Sequence, residues 1–479
     1  MAKTAHSSQY GENIMQKYKN KLTKEGVRRL LASQDTRVHL VGVGGVSMYS
    51  LAILAASRGL KVTGSDRVAS SRTADLLMRE IPVKIGHDEK NVVGASLVVY
   101  SHAISEDNPE LQKARELQIP TVSRAELLGA IMLDFHNRIG VSGTHGKSTT
   151  TAMLDLIFSS ALCEPTTLSG ANLILGTPIR EGGKDLLLYE ACEYRDSFLS
   201  FLPTVAAALN LEYDHPDYFK DIKTLKNSFR RALSHASSFA VVNMDDENLC
   251  ELIPEIKSRV VTFGQGERAD YRYLITKFFD TGHEFVLYHN KAALHRFTIN
   301  VPGVHNVTNA VCAIVIALEY GIDIDTVAGA ISSFRPINAR LELIGEHHGR
   351  PVYLDYAHHP TEIQVTINTL KLLTRDMLTV VFKPHTYSRT AALFRDFSSS
   401  LSLADHIVLT DIYPAREQPI KGVSSLRLAE DIGERAIFSP DGEVVHCLDT
   451  YTSGAIVIMG AGGLDEIIKA VIDVGPQDR

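Results

Sequence analysis

The stretch Gly143-Thr144-His145-Gly146-Lys147-Ser148-Thr149 constrains this chain more than any other. It follows an apolar run, Ile139–Ser142, that reads as a buried strand, and it precedes a helical pattern over Thr150–Ser160. A glycine-rich turn between a strand and a helix is the frame of a phosphate loop. Glycines let backbone N–H groups turn towards an anion, and the helix N-terminus adds partial positive charge. In that frame Lys147 reaches the terminal phosphates of ATP, and the Ser148 hydroxyl can ligate Mg²⁺. The spacing departs from the common G-x-x-x-x-G-K-[ST] pattern, because Val141 stands where the outer glycine would be. The competing reading is a glycine-rich turn that happens to contain lysine. The strand before, the helix after and the Gly-Lys-Ser run favour the phosphate loop.

The same strand-then-helix grammar starts three times. Val38-His39-Leu40-Val41 runs into Gly42-Val43-Gly44-Gly45, and strand candidates follow at Leu60–Thr63, Ser96–Tyr100 and Thr121–Val122. A restart at Arg138 brings Ile139–Ser142, Leu186–Tyr189, Val205–Asn210 and Phe239–Asn243, then a more polar, antiparallel stretch over about Val260–Val301. A third start near Arg335-Pro336 brings Val352–Asp355, Leu378–Phe382, His406–Thr410 and Ala455–Met459. Strands alternating with helices predict parallel, doubly wound sheets. A chain of 479 residues suits two to four domains at roughly 100–200 residues each. The expected fold class is α/β in three domains, 37–137, 138–336 and 337–479, behind an N-terminal extension, 1–36. Within the extension, Ile14–Leu31 is expected to form a helix whose Lys17, Lys21, Lys24, Arg28 and Arg29 make a solvated face.

Composition removes several function classes. A formal net charge of −7 disfavours a nucleic-acid partner, which would select a basic face. The five cysteines are scattered with no CxxC pair, so reduced thiols are expected rather than a disulfide framework or a zinc site. The first residues lack the apolar core of a signal peptide. The longest apolar run, Ala310–Leu318, falls far short of the roughly 20 residues of a membrane span. The expectation is a soluble, cytoplasmic protein.

Two further groups fall where a ligand would gather. Leu186–Tyr189 ends at Glu190, and Ala206–Asn210 runs on to Glu212, Asp214 and His215. Ligands of open parallel sheets collect beyond the carboxyl ends of the strands, so Glu190 and His215 should meet the phosphate loop. Mg²⁺ prefers hard oxygen ligands, which suits Glu190 better than His215.

These runs resemble the Mur ligases. The resemblance rests on GTHGKST, Tyr189-Glu190-Ala191-Cys192-Glu193 and Asn210-Leu211-Glu212-Tyr213-Asp214-His215. It is extended by Asp355-Tyr356-Ala357-His358-His359-Pro360-Thr361-Glu362-Ile363, Lys383-Pro384-His385-Thr386-Tyr387-Ser388-Arg389-Thr390 and Asp411-Ile412-Tyr413-Pro414-Ala415-Arg416-Glu417. The last three narrow it to members that join L-alanine to UDP-N-acetylmuramate, a step of peptidoglycan synthesis. It implies a Rossmann-like UDP-binding domain, a central P-loop ATPase-like domain and a C-terminal Rossmann-like domain. It also implies a reaction. The sugar carboxylate attacks the γ-phosphate of ATP, and the amine of L-alanine then displaces phosphate from the acyl phosphate.

By the same resemblance, Gly143, Thr144, His145, Gly146, Lys147, Ser148 and Thr149 hold the ATP phosphates, and Lys147 steadies the transferring group. Ser148 and Glu190 match a first Mg²⁺ site, and His215 a second. Asn306 and Asn309 match residues that read adenine, Arg340 an arginine near the phosphates, and Asp355 a ribose ligand. His358, His385 and Arg389 match the amino-acid pocket. Gly42, Gly44, Gly45 and Ser47 match the UDP-binding turn, with Asp66 and Ser101 nearby. That turn also nearly fits a dinucleotide fingerprint, so an NAD-dependent enzyme is a rival. Other rivals are a ligase that adds a peptide or a different amino acid, and a non-catalytic UDP-sugar module. The chain departs from the usual pattern at Ser47, Ala339, Leu354, Thr386 and Gly463. Expected partners are UDP-N-acetylmuramate, L-alanine and ATP, with the protein a monomer or homodimer.

Overall fold

The structure, a computed structural model, describes residues 22–33, 35–337 and 339–472. Of the helix expected over Ile14–Leu31, Lys24–Leu31 is present and is N-capped by Thr23. The earlier part, with Lys17 and Lys21, lies outside the described residues.

The first sheet contains β1 (Arg37–Val41), β2 (Lys61–Asp66), β3 (Val83–Ile85), β4 (Leu97–Tyr100) and β5 (Thr121–Ser123). All pair in parallel in the order β3-β2-β1-β4-β5. The chain therefore reverses direction across the sheet beside β1, and the Gly42 turn opens at that switch point. β2 continues through Gly64-Ser65-Asp66 rather than ending at Thr63. A Cβ on Gly64 would stand 2.8 Å from the Val43 side chain, so the glycine lets the ladder pass under the turn. β3 has three residues, too few to show a period in sequence.

A buried carboxylate ties this unit together. Glu110 accepts from Ser65 Oγ at 2.6 Å and from Asn91 Nδ2 at 2.7 Å, and lies 3.4 Å from His39 Nε2. Burial pushes its carboxyl up, but these three partners outweigh burial and hold it down at about 2. A group with a depressed folded value stabilises fully above its unfolded value and loses that contribution as pH falls through the folded one. The stability contributed by Glu110 is therefore intact near neutrality and is lost between about pH 4.5 and 2. Glu110→Ala is expected to cost about 3 kcal/mol at pH 7 by urea denaturation, because it strands the partners of a buried charge. The cost is expected to shrink towards pH 2.

The central sheet has ten strands. In chain order they are β6 (Asn137–Ser142), β7 (Thr166–Leu168), β8 (Ile179–Arg180), β9 (Leu186–Glu190), β10 (Val205–Ala208), β11 (Phe239–Asn243), β12 (Arg259–Gly264), β13 (Tyr271–Phe279), β14 (Gly282–His289) and β15 (Ala292–Ile299). Their order is β15-β14-β13-β12-β11-β10-β6-β9-β7-β8. β13, β14 and β15 form the antiparallel stretch read from the sequence, whereas β12 still pairs in parallel with β11. β10 stops at Ala208, two residues before the sequence suggests. Leu209 and Asn210 leave the ladder to brace the loop after β6: the Thr144 N–H donates to the Asn210 carbonyl, and the His145 N–H to Asn210 Oδ1 at 2.8 Å. The helix Val304–Glu319 contains the longest apolar run and is buried on nearly every face. It packs on the phosphate-loop helix.

The third sheet contains β16 (Glu342–His347), β17 (Arg350–Asp355), β18 (Leu378–Phe382), β19 (His406–Leu409), β20 (Ala436–Phe438) and β21 (Ala455–Met459), in the order β16-β17-β21-β18-β19-β20. β16 pairs antiparallel with β17 and the others are parallel. The molecule is thus α/β with three sheets in series. Among the described residues no helix is long and apolar enough to cross a membrane.

Candidate active site

The loop Gly143–Gly146 leaves β6 in the middle of the central sheet and enters the helix Lys147–Ser160, which starts three residues earlier than its sequence pattern. Gly143 and Gly146 have φ of +144° and +84°. At Gly146 a Cβ would fall 2.3 Å from Asn309 Oδ1, so only glycine lets the loop lie against the Val304–Glu319 helix. The N-cap Gly146 offers no side-chain acceptor. The first N–H groups of a helix lack intrahelical partners, so this end is built to receive an anion.

Lys147 Nζ folds back over the loop. It donates to the carbonyls of Gly143 and, at 3.1 Å, Thr144, and lies 3.3 Å from both oxygens of Glu193. Burial pulls this ammonium down, but Glu193 outweighs it and holds the lysine charged. Glu193 is in turn 3.4 Å from His215 Nε2, and Lys147 and His215 together keep it below the usual carboxylate range against the effect of burial. Glu190, at the end of β9, accepts from the Gly170 N–H and from Ser169 Oγ. Ser148 is buried beside Lys147 at the head of the helix. Lys147, Ser148, Glu190 and His215 thus share the carboxyl end of the sheet, as the sequence suggests. Oxygen donors predominate there, which fits the ligand preference of Mg²⁺.

A cavity of about 320 Å³ opens beside the loop. It is lined by His145, Ser148, Asn306, Asn309, Arg340 and Asp355, among others, so residues of the central and C-terminal sheets meet in it. Asn306 Nδ2 donates to the Pro302 carbonyl at 2.7 Å, and Asn309 Nδ2 to Asn306 Oδ1 at 3.3 Å. The Arg340 guanidinium lies 5.0 Å from the centre of the Tyr356 ring. Burial pushes the Asp355 carboxyl up to about 6, although it accepts the N–H groups of Leu341 and Ala357 at 2.8 Å each.

The C-terminal unit reaches the phosphate loop through the start of the helix Pro360–Thr374. Glu362 accepts His145 Nδ1 at 3.0 Å and the N–H groups of His358 and His359 at 3.0 and 3.2 Å. Burial lowers the His145 imidazole, but Glu362 and Glu212 outweigh it and raise it to about 9. Arg389 makes a buried two-pronged pair with Asp214, Nε to Oδ1 at 2.9 Å and Nη2 to Oδ2 at 3.1 Å. Its remaining Nη1 lies 3.2 Å from His385 Nδ1. His385 and His358 are both driven down, to about 3 and about 4, first by burial and then, for His385, by Arg389. Both imidazoles are therefore neutral near pH 7. Thr386 N-caps the short helix that carries Arg389, which gives the threonine a local structural task.

The N-terminal turn is self-braced. Gly42 has φ +82°, and the Gly44 N–H donates to Asp66 Oδ2 at 2.8 Å. Gly45 caps the helix Val46–Ser57, in which Ser47 is the second residue. Ser101 Oγ accepts from the Ala103 N–H at 3.3 Å. These residues lie at the carboxyl ends of β1, β2 and β4, in a different sheet from the one that carries the phosphate loop.

Residues 37–136 match the family model for the Mur ligase family catalytic domain, 141–317 that for the Mur ligase middle domain, and 339–463 that for the Mur ligase glutamate ligase domain. The chain belongs to the Mur ligase family. Among relatives, the UDP-N-acetylmuramate–L-alanine ligase of Caldicellulosiruptor saccharolyticus is 42% identical over 450 residues, covering 91% of this chain and 98% of that one. The ligase of the same name from Clostridium novyi is 39% identical over 441 residues, 90% and 96% of the two chains. Among solved structures, UDP-N-acetylmuramate-alanine ligase from Thermotoga maritima aligns with a TM-score of 0.77 at 24% identity, over 91% of this chain and 98% of that one. A murein peptide ligase from Psychrobacter arcticus aligns at 0.70 and 23%, over the same shares. At those identities the two structures speak for the fold.

In this Mur ligase several residues without a role in the sequence reading turn out to organise the site. Glu193 neutralises Lys147, Asp214 occupies Arg389, and Glu362 holds His145. All three stand inside the motif runs quoted above, but sequence proximity does not pair them with their cations: Glu193 lies 46 positions from Lys147. Gly463, where aspartate is frequent, has φ +69°, and a Cβ there would approach Tyr413 at 2.7 Å. Leu354 sits half-buried in β17, and Ala339 adopts φ +55° with its N–H on Glu342.

Proposed function

We propose that this Mur ligase uses ATP to join L-alanine to the carboxylate of UDP-N-acetylmuramate, in the assembly of peptidoglycan precursors. One observation carries the reading. In a chain whose relatives bear that name, His145 of the phosphate loop meets Glu362, which also accepts the His358 N–H, and Asp214 of the central unit pairs with Arg389 beside His385. The proposed domains are 37–137 for the UDP-sugar, 138–336 for ATP and 337–479 for the amino acid. The enzyme is proposed to work in the cytoplasm, as a monomer or homodimer.

A free carboxylate is a poor acyl donor because its charge repels an incoming amine. Transfer of the γ-phosphoryl group to it creates a leaving group. The amine nitrogen then bonds to the acyl carbon, phosphate departs, and the nitrogen loses a proton. Such transfers depend on positioning and charge neutralisation. Lys147 and the uncapped helix N-terminus take the phosphate charge. Glu193 keeps the lysine protonated until ATP displaces it from the loop carbonyls. Asn306 and Asn309 present amides that can both donate to and accept from adenine. Asp355 faces the ribose, and Arg340 the phosphates. Ser148, Glu190 and His215 would hold Mg²⁺, which neutralises phosphate charge when bound. In the amine pocket, His358 and His385 stay neutral and can hydrogen-bond the amine without adding positive charge beside it. Gly42, Gly44, Gly45, Ser47, Asp66 and Ser101 would hold the UDP moiety. Closing the three domains on one another would keep water from the acyl phosphate.

A second reading, ligation of a peptide, draws on Thr386, which stands where some members carry arginine. An amine panel separates the two. ADP release with UDP-N-acetylmuramate is expected with L-alanine and not with tripeptide. Turnover with tripeptide alone would transfer the assignment to the peptide ligases, and no ADP release with any amine would favour a binding module.

A further inference from the structure

His145, Glu212 and His359 meet at the seam between the phosphate loop, to which His145 belongs, and the C-terminal unit. Glu212 Oε2 lies 3.5 Å from His145 Nε2 and 3.5 Å from His359 Nδ1, and the three atoms lie within 4.8 Å of one another. The two imidazole rings tilt together with centroids 4.8 Å apart.

Their outer partners fix which nitrogens face inward. Glu362 only accepts, so His145 Nδ1 carries the proton that reaches it at 3.0 Å. His145 Nε2 then faces Glu212, buried with no hydrogen-bond partner; the two carboxylates favour a proton on it, which a bound cation would displace. The Tyr213 carbonyl likewise only accepts, so His359 Nε2 donates to it at 3.4 Å and Nδ1 presents a lone pair. Among the described residues the one N–H on that lone pair is Thr361's, at a long 3.4 Å. Two imidazole nitrogens and one carboxylate oxygen, which also accepts the Thr361 hydroxyl, therefore converge, each imidazole oriented by an acceptor on its far side. That is the outer-shell arrangement of histidine metal ligands.

The spacing fits a metal of definite class. Zinc bonds to nitrogen and carboxylate oxygen of about 2.0–2.2 Å put tetrahedral ligands about 3.3–3.5 Å apart, against 3.5 Å for the two edges at Glu212 and no more than 4.8 Å for the edge between the imidazoles. Nitrogen donors select zinc-class ions over Mg²⁺ or Ca²⁺. The local field agrees, because Glu212 and Glu362 already attract a proton to His145, while burial and the neighbouring His145 keep His359 neutral and free to bind.

We propose that His145, Glu212 and His359 form a binding site for one zinc-class divalent cation, separate from the magnesium positions at the phosphates. Two ligands come from the central sheet's loops and one from the C-terminal unit, so the ion ties those two units together.

The test titrates metal-stripped, nucleotide-free full-length protein with Zn²⁺ against a chromophoric chelator in millimolar Mg²⁺, with Co²⁺ as a spectroscopic substitute. The wild type is expected to bind one Zn²⁺ per chain at this position and to show the visible absorption of four- or five-coordinate Co²⁺. His359→Gln and, separately, Glu212→Gln are expected to weaken that step at least about ten-fold and to abolish the Co²⁺ band. The two variants guard against either one failing to fold. His348→Gln alters the other histidine–aspartate group, His347, His348 and Asp449, and is expected to leave the step unchanged. Equal affinity and an unchanged band in folded His359→Gln or Glu212→Gln would overturn the proposal. So would wild-type binding weaker than about 100 µM, or loss of the step in His348→Gln alone.

Discussion

Lys147→Ala is expected to lower kcat by about 10³-fold or more, roughly 4 kcal/mol of transition-state stabilisation, while UDP-N-acetylmuramate still binds to within about two-fold. The lysine sits at the phosphate loop on Glu193, whereas the Gly42–Ser47 turn belongs to a separate sheet. The change removes the loop lysine and leaves Glu193, a buried anion, with His215 as its remaining close ion-pair partner among the described residues. Single-turnover phosphoryl transfer and calorimetric titration of the UDP-sugar check the two halves. Parallel loss of both would refute the division of labour between the two sheets.

The second large effect concerns Arg389. Read as an amino-acid ligand alone, its removal would raise KM for L-alanine and leave stability untouched. The geometry gives it a prior engagement with Asp214, both groups buried. Arg389 holds Asp214 well below the usual carboxylate range against the effect of burial. Arg389→Ala strands that charge, and breaking such a pair costs about 3–5 kcal/mol. Loss of thermal stability and a fall in kcat are therefore both expected. Arg389→Lys should not rescue them, because an ammonium cannot make the two-pronged contact. Asp214→Asn should cost stability too, since it leaves the guanidinium unpaired. An unchanged melting temperature in Arg389→Ala, with only KM raised, would return the residue to a purely substrate-binding role.

The sheets were largely legible because most of their strands are apolar runs with glycine or polar residues at the ends. Phe239–Asn243, Leu378–Phe382 and Ala455–Met459 carry their bounds in the sequence. Short edge strands such as Val83–Ile85 and Ala436–Phe438 show no period to read. The phosphate loop was legible because its chemistry is local to seven residues. The pairs Arg389–Asp214 and His145–Glu362 were not, because each joins residues that are 175 and 217 positions apart. Motif reading names the cations of such pairs and assigns them to a substrate; only the packing of two units on each other reveals that a carboxylate of the protein competes for the same place.

The Val304–Glu319 helix has a consequence for how the cavity beside the phosphate loop can fail. It carries Asn306 and Asn309 on the cavity wall, yet most of its residues are fully enclosed between the central sheet and its neighbours. Local fraying that loosens surface loops cannot reach it, since opening an enclosed helix means opening the unit around it. Slow exchange of its amides and retention of the asparagine-bearing wall are then one property. Warming is expected to leave that wall intact until the central unit melts as a whole, so this end of the cavity has no intermediate, softened form.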